Sequence, residues 1–436
     1  MRQITITPGG PLRGEVHVPS DKSISQRAVM LSALCRGTTV VRRFLAADDS
    51  LRAVTAFGHM GISLRLEETA GETVVTITGK GLNGLTPPGR PLYLGNSGTT
   101  MRLLSGILAA QSFPSVLTGD RSLSSRPMER ITVPLRRMGA SITGRRHAGR
   151  ECSPLKINGR PLQAICYTLP VPSAQVKSCV LLAGLYARGR TCVREPVRTR
   201  DHTERMLAAF GAPVRVRGRT VSIQGGEELR SPRTLVIPGD ISSAAFFLVA
   251  ASVTPGSDLL LRGVGVNPTR QHVISVLRRM GARLVVRRHG RGHFEPCADI
   301  RVRSGSLRGI RLSPADTAQC IDELPILGVA AALARGTTRF CAAGELRVKE
   351  TDRIASMVQN LSAMGADIRV RGDDLVIRGG RKLHGAVVDS YGDHRTAMSL
   401  AIAALAAEGA TTITNAGCVA KSYPGFFDDL AALRAG

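Results

Sequence analysis

Two signals alternate along this 436-residue chain, and their alternation restricts it to a fold assembled from repeated α/β units. The first is an apolar, small-residue stretch running into a glycine or turn. It occurs at Ala28–Leu31 before Gly37, Leu103–Leu108 before the turn near Ser112, Val180–Ala187 before Gly189, Phe246–Val253 before Gly256, Leu327–Ala334 before Gly336 and Leu400–Ala407 before Gly409. These six copies lie about 67 to 80 residues apart, longer than a solenoid unit. The second signal is a helix ending in Met-Gly or Phe-Gly: Met60-Gly61, Met138-Gly139, Phe210-Gly211, Met280-Gly281 and Met364-Gly365. Each glycine suits a left-handed helix C-cap. The run after it, such as Arg283-Leu284-Val285-Val286, alternates as a strand does. The chain ends before a sixth copy of the second signal is complete, so six units grouped as two domains of three are expected.

Ile237-Pro238-Gly239-Asp240 echoes Val18-Pro19-Ser20-Asp21. Read as two hinge strands, they divide the chain into residues 21–239 and residues 1–20 plus 240–436. A binding site is then expected between the two domains, where ligands commonly lie.

The chain is 43% hydrophobic, enough for several packed cores, yet carries a net charge of +26. Seven of its 59 basic residues are Lys, leaving 59 − 7 = 52 Arg. That bias reads as GC-rich coding. A lysine retained against it is expected where a compact ammonium is required. Specific nucleic-acid binding is not expected: pairs such as Arg136-Arg137, Arg278-Arg279 and Arg287-Arg288 are dispersed, Trp is absent and aromatics are 3%. Nine cysteines without a C-x-x-C pair suit a reduced compartment. Met1 to Gly14 lacks a signal-peptide core, and the longest apolar runs are too short for a bilayer. A cytoplasmic, membrane-free monomer is expected. Histidines show no ligand spacing, so neither a metal nor a cofactor is expected.

Polar clusters open five of the six apolar helices. Pro19-Ser20-Asp21-Lys22-Ser23-Ile24-Ser25-Gln26-Arg27 offers a cap and cations beside free N–H groups, a natural phosphate site. Gly95-Asn96-Ser97-Gly98-Thr99-Thr100-Met101-Arg102 lets backbone amides approach a ligand, but lacks the G-K-[ST] of a nucleotide loop. Pro172-Ser173-Ala174-Gln175-Val176-Lys177-Ser178, Asp322-Glu323-Leu324-Pro325 and Tyr391-Gly392-Asp393-His394-Arg395 open three more. Each alone reads as a helix cap, whereas five equivalent positions together describe an anion-attracting site.

Arg347-Val348-Lys349-Glu350-Thr351-Asp352-Arg353 completes the set. Read as the first turn of a helix, it sets Lys349 and Arg353 four residues apart on one face. Like charges there oppose the helix by a few tenths of a kcal/mol, roughly, so bound anions are expected to accompany them. Glu350 either pairs with Arg353 or serves as a proton-transfer carboxylate.

These motifs, with Ser125-Arg126-Pro127-Met128 and Ala420-Lys421-Ser422, resemble those of the EPSP synthase family from near the N-terminus to Lys421. The resemblance implies an α/β fold, a two-domain inside-out α/β barrel of six βαβαββ repeats, three per domain. It implies transfer of the enolpyruvyl group of phosphoenolpyruvate (PEP) to the 5-hydroxyl of shikimate 3-phosphate by addition and elimination through a tetrahedral intermediate. Carried over position by position, it implies Lys22, Ser23, Arg27, Ser173, Gln175, Asp322 and Lys349 around shikimate 3-phosphate, with Arg200 as a further candidate. Lys22, Gly98, Arg126, Gln175, Arg353, Arg395 and Lys421 are implied around PEP. Asp322 is the implied base, with Glu350 and Lys22 handling protons at the methylene carbon. Lys349 and Arg353 then address different anions, and Glu350 falls where the two substrates meet. Cations around Glu350 pull its pKa down, so desolvation on closure must counter them if it is to act as an acid.

Departures from the pattern are Ala174 where some members have Ser, Glu345 where some have Asn, and Arg200-Asp201-His202-Thr203 in place of a Ser/Tyr pair. Gly98 leaves room that Ala would fill, so inhibition by glyphosate in competition with PEP is expected. Two rival readings are a UDP-N-acetylglucosamine enolpyruvyl transferase and a basic RNA-binding repeat protein. Against the first, Thr118 to Met128 contains no Cys and Ser23 follows Lys22.

Overall fold

The computed structural model describes residues 3–69, 71–290 and 294–435. Six helices are buried nearly all round: Lys22–Leu34, Gly98–Leu108, Ala174–Gly184, Ile241–Val253, Leu324–Leu333 and His394–Leu405. They contain the six apolar stretches. Each is flanked by strands, and the chain returns through a second helical element. The helix Asp48–His59 is an example, ending at Met60 with Gly61 at φ +80° before the strand Ser63–Thr69. The other four Met-Gly and Phe-Gly glycines also have φ between +79° and +98°, a conformation Cβ-bearing residues avoid.

The chain divides into two compact units at Pro19/Ser20 and again at Ile237/Pro238. The amino-half unit is Ser20–Ile237 with the short stretch carrying Glu295, and the carboxy-half unit takes the chain up to Pro19 and almost all of it from Pro238 onward. Each unit has its own core. In the carboxy-half unit Phe246, Phe247, Tyr423 and Phe426 pack with ring centroids 5.5 to 5.9 Å apart.

One sheet pattern recurs. In the amino-half unit, Leu92–Tyr93 runs parallel to Pro114–Thr118, which is antiparallel to Arg150–Asn158, itself antiparallel to Ser141–His147. Cys166–Thr168, Arg190–Arg194, Thr220–Gln224 and Val214–Arg217 repeat that order. In the remaining sheet Cys35–Arg42, Glu72–Lys80 and Ser63–Thr69 do so, and the parallel edge is supplied late in the chain by Leu229–Arg230 and Thr234–Val236.

The carboxy-half unit follows suit with Arg13–Val16, Asp258–Gly265, Cys297–Arg303 and Arg283–Arg288, and with Arg311–Leu312, Thr337–Phe340, Asp374–Arg378 and Asp367–Arg371. Its last repeat lacks the outer hairpin. There Val387–Asp389 pairs parallel with Thr411–Thr414, and Ile4–Ile6 from the start of the chain adds antiparallel.

The fold is therefore mixed α/β, built from βαβαββ repeats with helices inside and sheets outside, as expected. The sheets remain open ribbons, and no closed barrel forms among the described residues. Close helix packing depends on one small residue: a Cβ on Gly106 would lie 2.3 Å from the Cys179 carbonyl oxygen in the neighbouring helix. Among the described residues no helix is long and apolar enough to cross a membrane.

Candidate active site

In the amino-half unit the starts of three buried helices are tied together by polar side chains. Asp21 caps the first, accepting from the Ile24 N–H at 2.9 Å, and Lys22 pairs through Nζ with Asp49 Oδ2 at 3.0 Å. The fully buried Gln26 donates to Ser97 Oγ at 2.7 Å and to the Asp49 carbonyl at 3.1 Å, joining the first helix to the second. Ser97 caps that second helix, where Arg102 Nη1 donates to Gln175 Oε1 at 2.6 Å and Gln175 Nε2 donates to Thr99 Oγ1 at 3.0 Å. Arg126 donates through Nη2 to Asn96 Oδ1 at 2.5 Å, and Asn96 is held by Asp120. Gly98 lies against both guanidiniums: a Cβ there would be 2.9 Å from Arg102 Nη1 and 3.2 Å from Arg126 Nη1. The Nε of Arg126 is buried without a hydrogen-bond partner.

Arg27 is buried and bridges elements. Nε donates to Thr203 at 2.7 Å, Nη2 to Ser178 at 3.0 Å and Nη1 to the Ser23 carbonyl at 2.9 Å. Burial pushes its pKa down to about 10, against the pull of Asp21 and Glu204. Ser173 caps the third helix and accepts from the Val176 N–H. Arg200 lies half-buried, just before the helix His202–Ala209.

Lys177 is one of the seven lysines retained against the Arg bias. Although it stands in a helix-opening motif, its ammonium is buried between Glu195 at 3.0 Å and Glu204 at 2.6 Å. Its place in the helix turns it into the core, where only paired charge is tolerated.

The carboxy-half unit gathers Asp322, Lys349, Glu350, Arg353, Arg395 and Lys421. Arg353 is its centre and is fully buried. Its Nε donates to Asp393 Oδ2 at 2.7 Å, its Nη2 pairs with Glu350 Oε2 at 2.5 Å, and its Nη1 lies 3.6 Å from Asp322 Oδ1. Burial opposes the cation, but Asp393, Glu350 and Asp322 outweigh it and hold the pKa above the ordinary guanidinium value. The Lys349 ammonium is 3.8 Å from the same Asp322 oxygen, and burial pushes its pKa below the usual lysine value despite Asp322. Arg395 Nη1 donates to the Asp322 main-chain carbonyl at 2.9 Å, and Lys421 donates to the Gly392 carbonyl at 3.1 Å.

The Lys349–Arg353 segment differs from the expected helix start. Gly344–Val348 is a short 3-10 turn, Lys349 is extended, and the helix begins at Arg353 after its cap Asp352, which accepts from the Ala355 N–H at 3.0 Å. The two cations therefore do not face each other across a helical turn, although Arg353 still adds to burial in lowering the Lys349 pKa. Asp322 lies near both instead.

Sequence reasoning missed Asp49 and the second use of Asp393. It also missed the buried Arg270, which lies 3.3 Å from Asp240 and 3.6 Å from Glu323. Asp393 has the local signature of a helix cap and is one, accepting from the Arg395 N–H at 2.8 Å. Nothing local announces that its other oxygen holds a guanidinium forty residues away in sequence.

Two sets of three α/β repeats, with cations and paired carboxylates at the starts of buried helices, define an α/β enzyme for anionic small molecules. The model of the family EPSP synthase (3-phosphoshikimate 1-carboxyvinyltransferase) matches residues 6–430. The chain is 52% identical over 431 residues to the 3-phosphoshikimate 1-carboxyvinyltransferase of Desulforudis audaxviator, covering 99% of each chain. It is 49% identical over 436 residues to that of Pelobacter propionicus, covering 100% of each. A solved structure of EPSP synthase from Acinetobacter baumannii superposes with a TM-score of 0.87 at 46% identity, covering 99% of this chain and 98% of that one. The chain belongs to the EPSP synthase family.

Proposed function

We propose that this chain is a transferase that moves the enolpyruvyl group of PEP to the 5-hydroxyl of shikimate 3-phosphate, releasing phosphate on the route to aromatic amino acids. The observation that carries the proposal is the Asp322 cluster. A carboxylate near both Lys349 and Arg353, in a chain half-identical over its whole length to 3-phosphoshikimate 1-carboxyvinyltransferases, suits a base that works beside bound anions.

Addition needs a proton removed from the hydroxyl, a bond from its oxygen to C2 of PEP, and a proton delivered to the methylene carbon. Asp322 takes the first proton. Lys349 at 3.8 Å and Arg353 at 3.6 Å stand beside the accepting carboxylate. Glu350 and Lys22 manage the proton at the methylene carbon. In the ligand-free chain Glu350 is paired with Arg353. PEP anions that compete for that guanidinium loosen the pair and free the carboxylate for the methylene carbon. The tetrahedral adduct then loses a proton from the new methyl group as its C2–O–P bond breaks and phosphate departs.

Lys22, Ser23, Arg27, Ser173, Gln175, Arg200, Asp322 and Lys349 bind shikimate 3-phosphate. PEP is bound by Lys22, Gly98, Arg126, Gln175, Arg353, Arg395 and Lys421. The protein works as a cytoplasmic monomer that uses neither metal nor nucleic acid.

The test supplies PEP with shikimate 3-phosphate and measures phosphate release. Turnover with that pair supports the proposal, whereas turnover only with UDP-N-acetylglucosamine, or none with either, overturns it. Glyphosate is expected to inhibit in competition with PEP, and indifference to roughly millimolar inhibitor would contradict the space read at Gly98.

A further inference from the structure

Nine cysteines are present, and two of them, far apart in sequence, are nearest neighbours across adjacent strands. Cys166 in Cys166–Thr168 is in parallel register with Cys192 in Arg190–Arg194. Register partners point to the same face of a sheet, and here that face is the outer one: Cys166 is exposed and Cys192 half-exposed, while Tyr167, Thr191 and Val193 between them point inward. Neighbouring strands are about 4.8 Å apart, inside the range of about 4.4 to 6.8 Å over which Cα atoms accept a disulfide. The thiols are close enough to influence one another: the Cys192 pKa is raised by burial and then by Cys166, against a lowering pull from Arg190.

The surroundings are cationic. Arg190 and Arg194 flank Cys192 on its own strand and face, and both are exposed. Further across the sheet Cys192 opposes Ser222, Ser222 opposes Arg215 and Thr220 opposes Arg217, so both of those arginines share the face. Five of the other cysteines are buried, and Cys297 and Cys418 are half-exposed but have no cysteine as strand-register partner among the described residues.

We propose that Cys166 and Cys192 form a reversible dithiol modification site whose oxidant is a small anionic disulfide. The exposed Cys166 thiolate attacks one sulfur of the disulfide, forming a mixed disulfide and releasing one small thiol. Cys192 then gives up its proton and attacks the Cys166 sulfur, which releases the second small thiol and leaves a Cys166–Cys192 disulfide. Two protein thiols are oxidised and one small disulfide is reduced to two thiols. The arginines concentrate the anionic oxidant beside the exposed thiol. Closure removes the exposed Cys166 from the irreversible oxidation ladder. It ties the two strands that flank the helix Ala174–Gly184, whose first turn carries Gln175.

The reduced full-length protein is incubated with oxidised glutathione, then alkylated, digested and analysed by mass spectrometry. The expected product has lost two hydrogens, carries no adduct, and yields a cross-linked peptide joining Cys166 to Cys192 that dithiothreitol reverses. Cys192→Ser should instead retain a glutathione adduct on Cys166. Hydroxyethyl disulfide, which is neutral, should react several-fold more slowly than oxidised glutathione at low salt, with the difference shrinking at high salt. The proposal is overturned if both thiols stay alkylatable after other cysteines have reacted, or if the native chain keeps an unresolved adduct on Cys166. Equal rates for the neutral and anionic disulfides overturn the assignment of an anionic oxidant.

Discussion

Arg353 shows how one side chain serves both stability and chemistry. It is wholly buried, and Asp393, Glu350 and Asp322 share its charge. Arg353→Ala removes the cation and leaves Asp393 buried with its charge uncompensated. A loss of about 3–5 kcal/mol is expected in urea unfolding, along with loss of turnover. Arg353→Lys restores charge without the guanidinium fork, so it should recover part of the stability and little of the activity. Gly98→Ala probes the other unit. The added methyl would press on Arg102 Nη1 at 2.9 Å and Arg126 Nη1 at 3.2 Å, atoms at the ends of flexible chains that shift readily. Folding should therefore be nearly unchanged while the KM for PEP rises several-fold and kcat falls less, a split that steady-state kinetics resolves.

Among the elements, the outer sheet faces carry much of the surplus positive charge: Arg283, Arg287, Arg301, Arg303, Arg369, Arg371, Arg215 and Arg217 all project from strands into solvent. Where carboxylates meet them, pairing follows strand order. Asp258 takes both Arg301 and Arg303, and Arg262 lies between Glu15 and Asp299. Burial works against the Asp299 charge, but the Gly263 N–H, Arg262 and His289 outweigh it and lower the pKa from 3.8 to about 2. Because the folded value is depressed, the stability Asp299 contributes is complete above about 4 and is lost as pH falls through about 2. Asp299→Asn should thus be less stable than the native chain at about pH 5, where the Asp299 carboxylate is ionised in both folded and unfolded chains. That margin should shrink as pH falls from about 4 to about 2, which urea titration at several pH values would measure.

The repeats and their capping glycines were legible at this scale because helix and strand periods and turn chemistry are local. The helix start at Asp352 was not, since Arg347 to Arg353 offers several polar residues able to cap and only packing selects one.

In the whole molecule the two cores are built from different stretches of chain, yet the carboxy-half unit is not contiguous in sequence. Ile4–Ile6 fills the place of the missing hairpin beside Thr411–Thr414, and Arg13–Val16 pairs with Asp258–Gly265. Deleting residues 1–10 removes the first of these strands and strips an edge from the last sheet. Melting should occur at a lower temperature, and limited proteolysis should cut the carboxy-half unit before the amino-half unit, whose sheets use no strand from this segment.

By itself the sequence determined the α/β class, the six repeats, the family and the identities of the charged residues at the helix starts. Each of these depends on residue type and short-range spacing, which a linear chain displays directly. Tertiary structure alone decided which charges meet. Lys177 faces two buried carboxylates rather than an open site, Arg353 bonds to Asp393, and Asp322 lies near both Lys349 and Arg353. It also decided that Cys166 and Cys192 are neighbours and that the first strand completes the last sheet. Such pairings arise from chain crossings tens to hundreds of residues apart, whose partners are selected by burial and strand register rather than by anything adjacent in sequence.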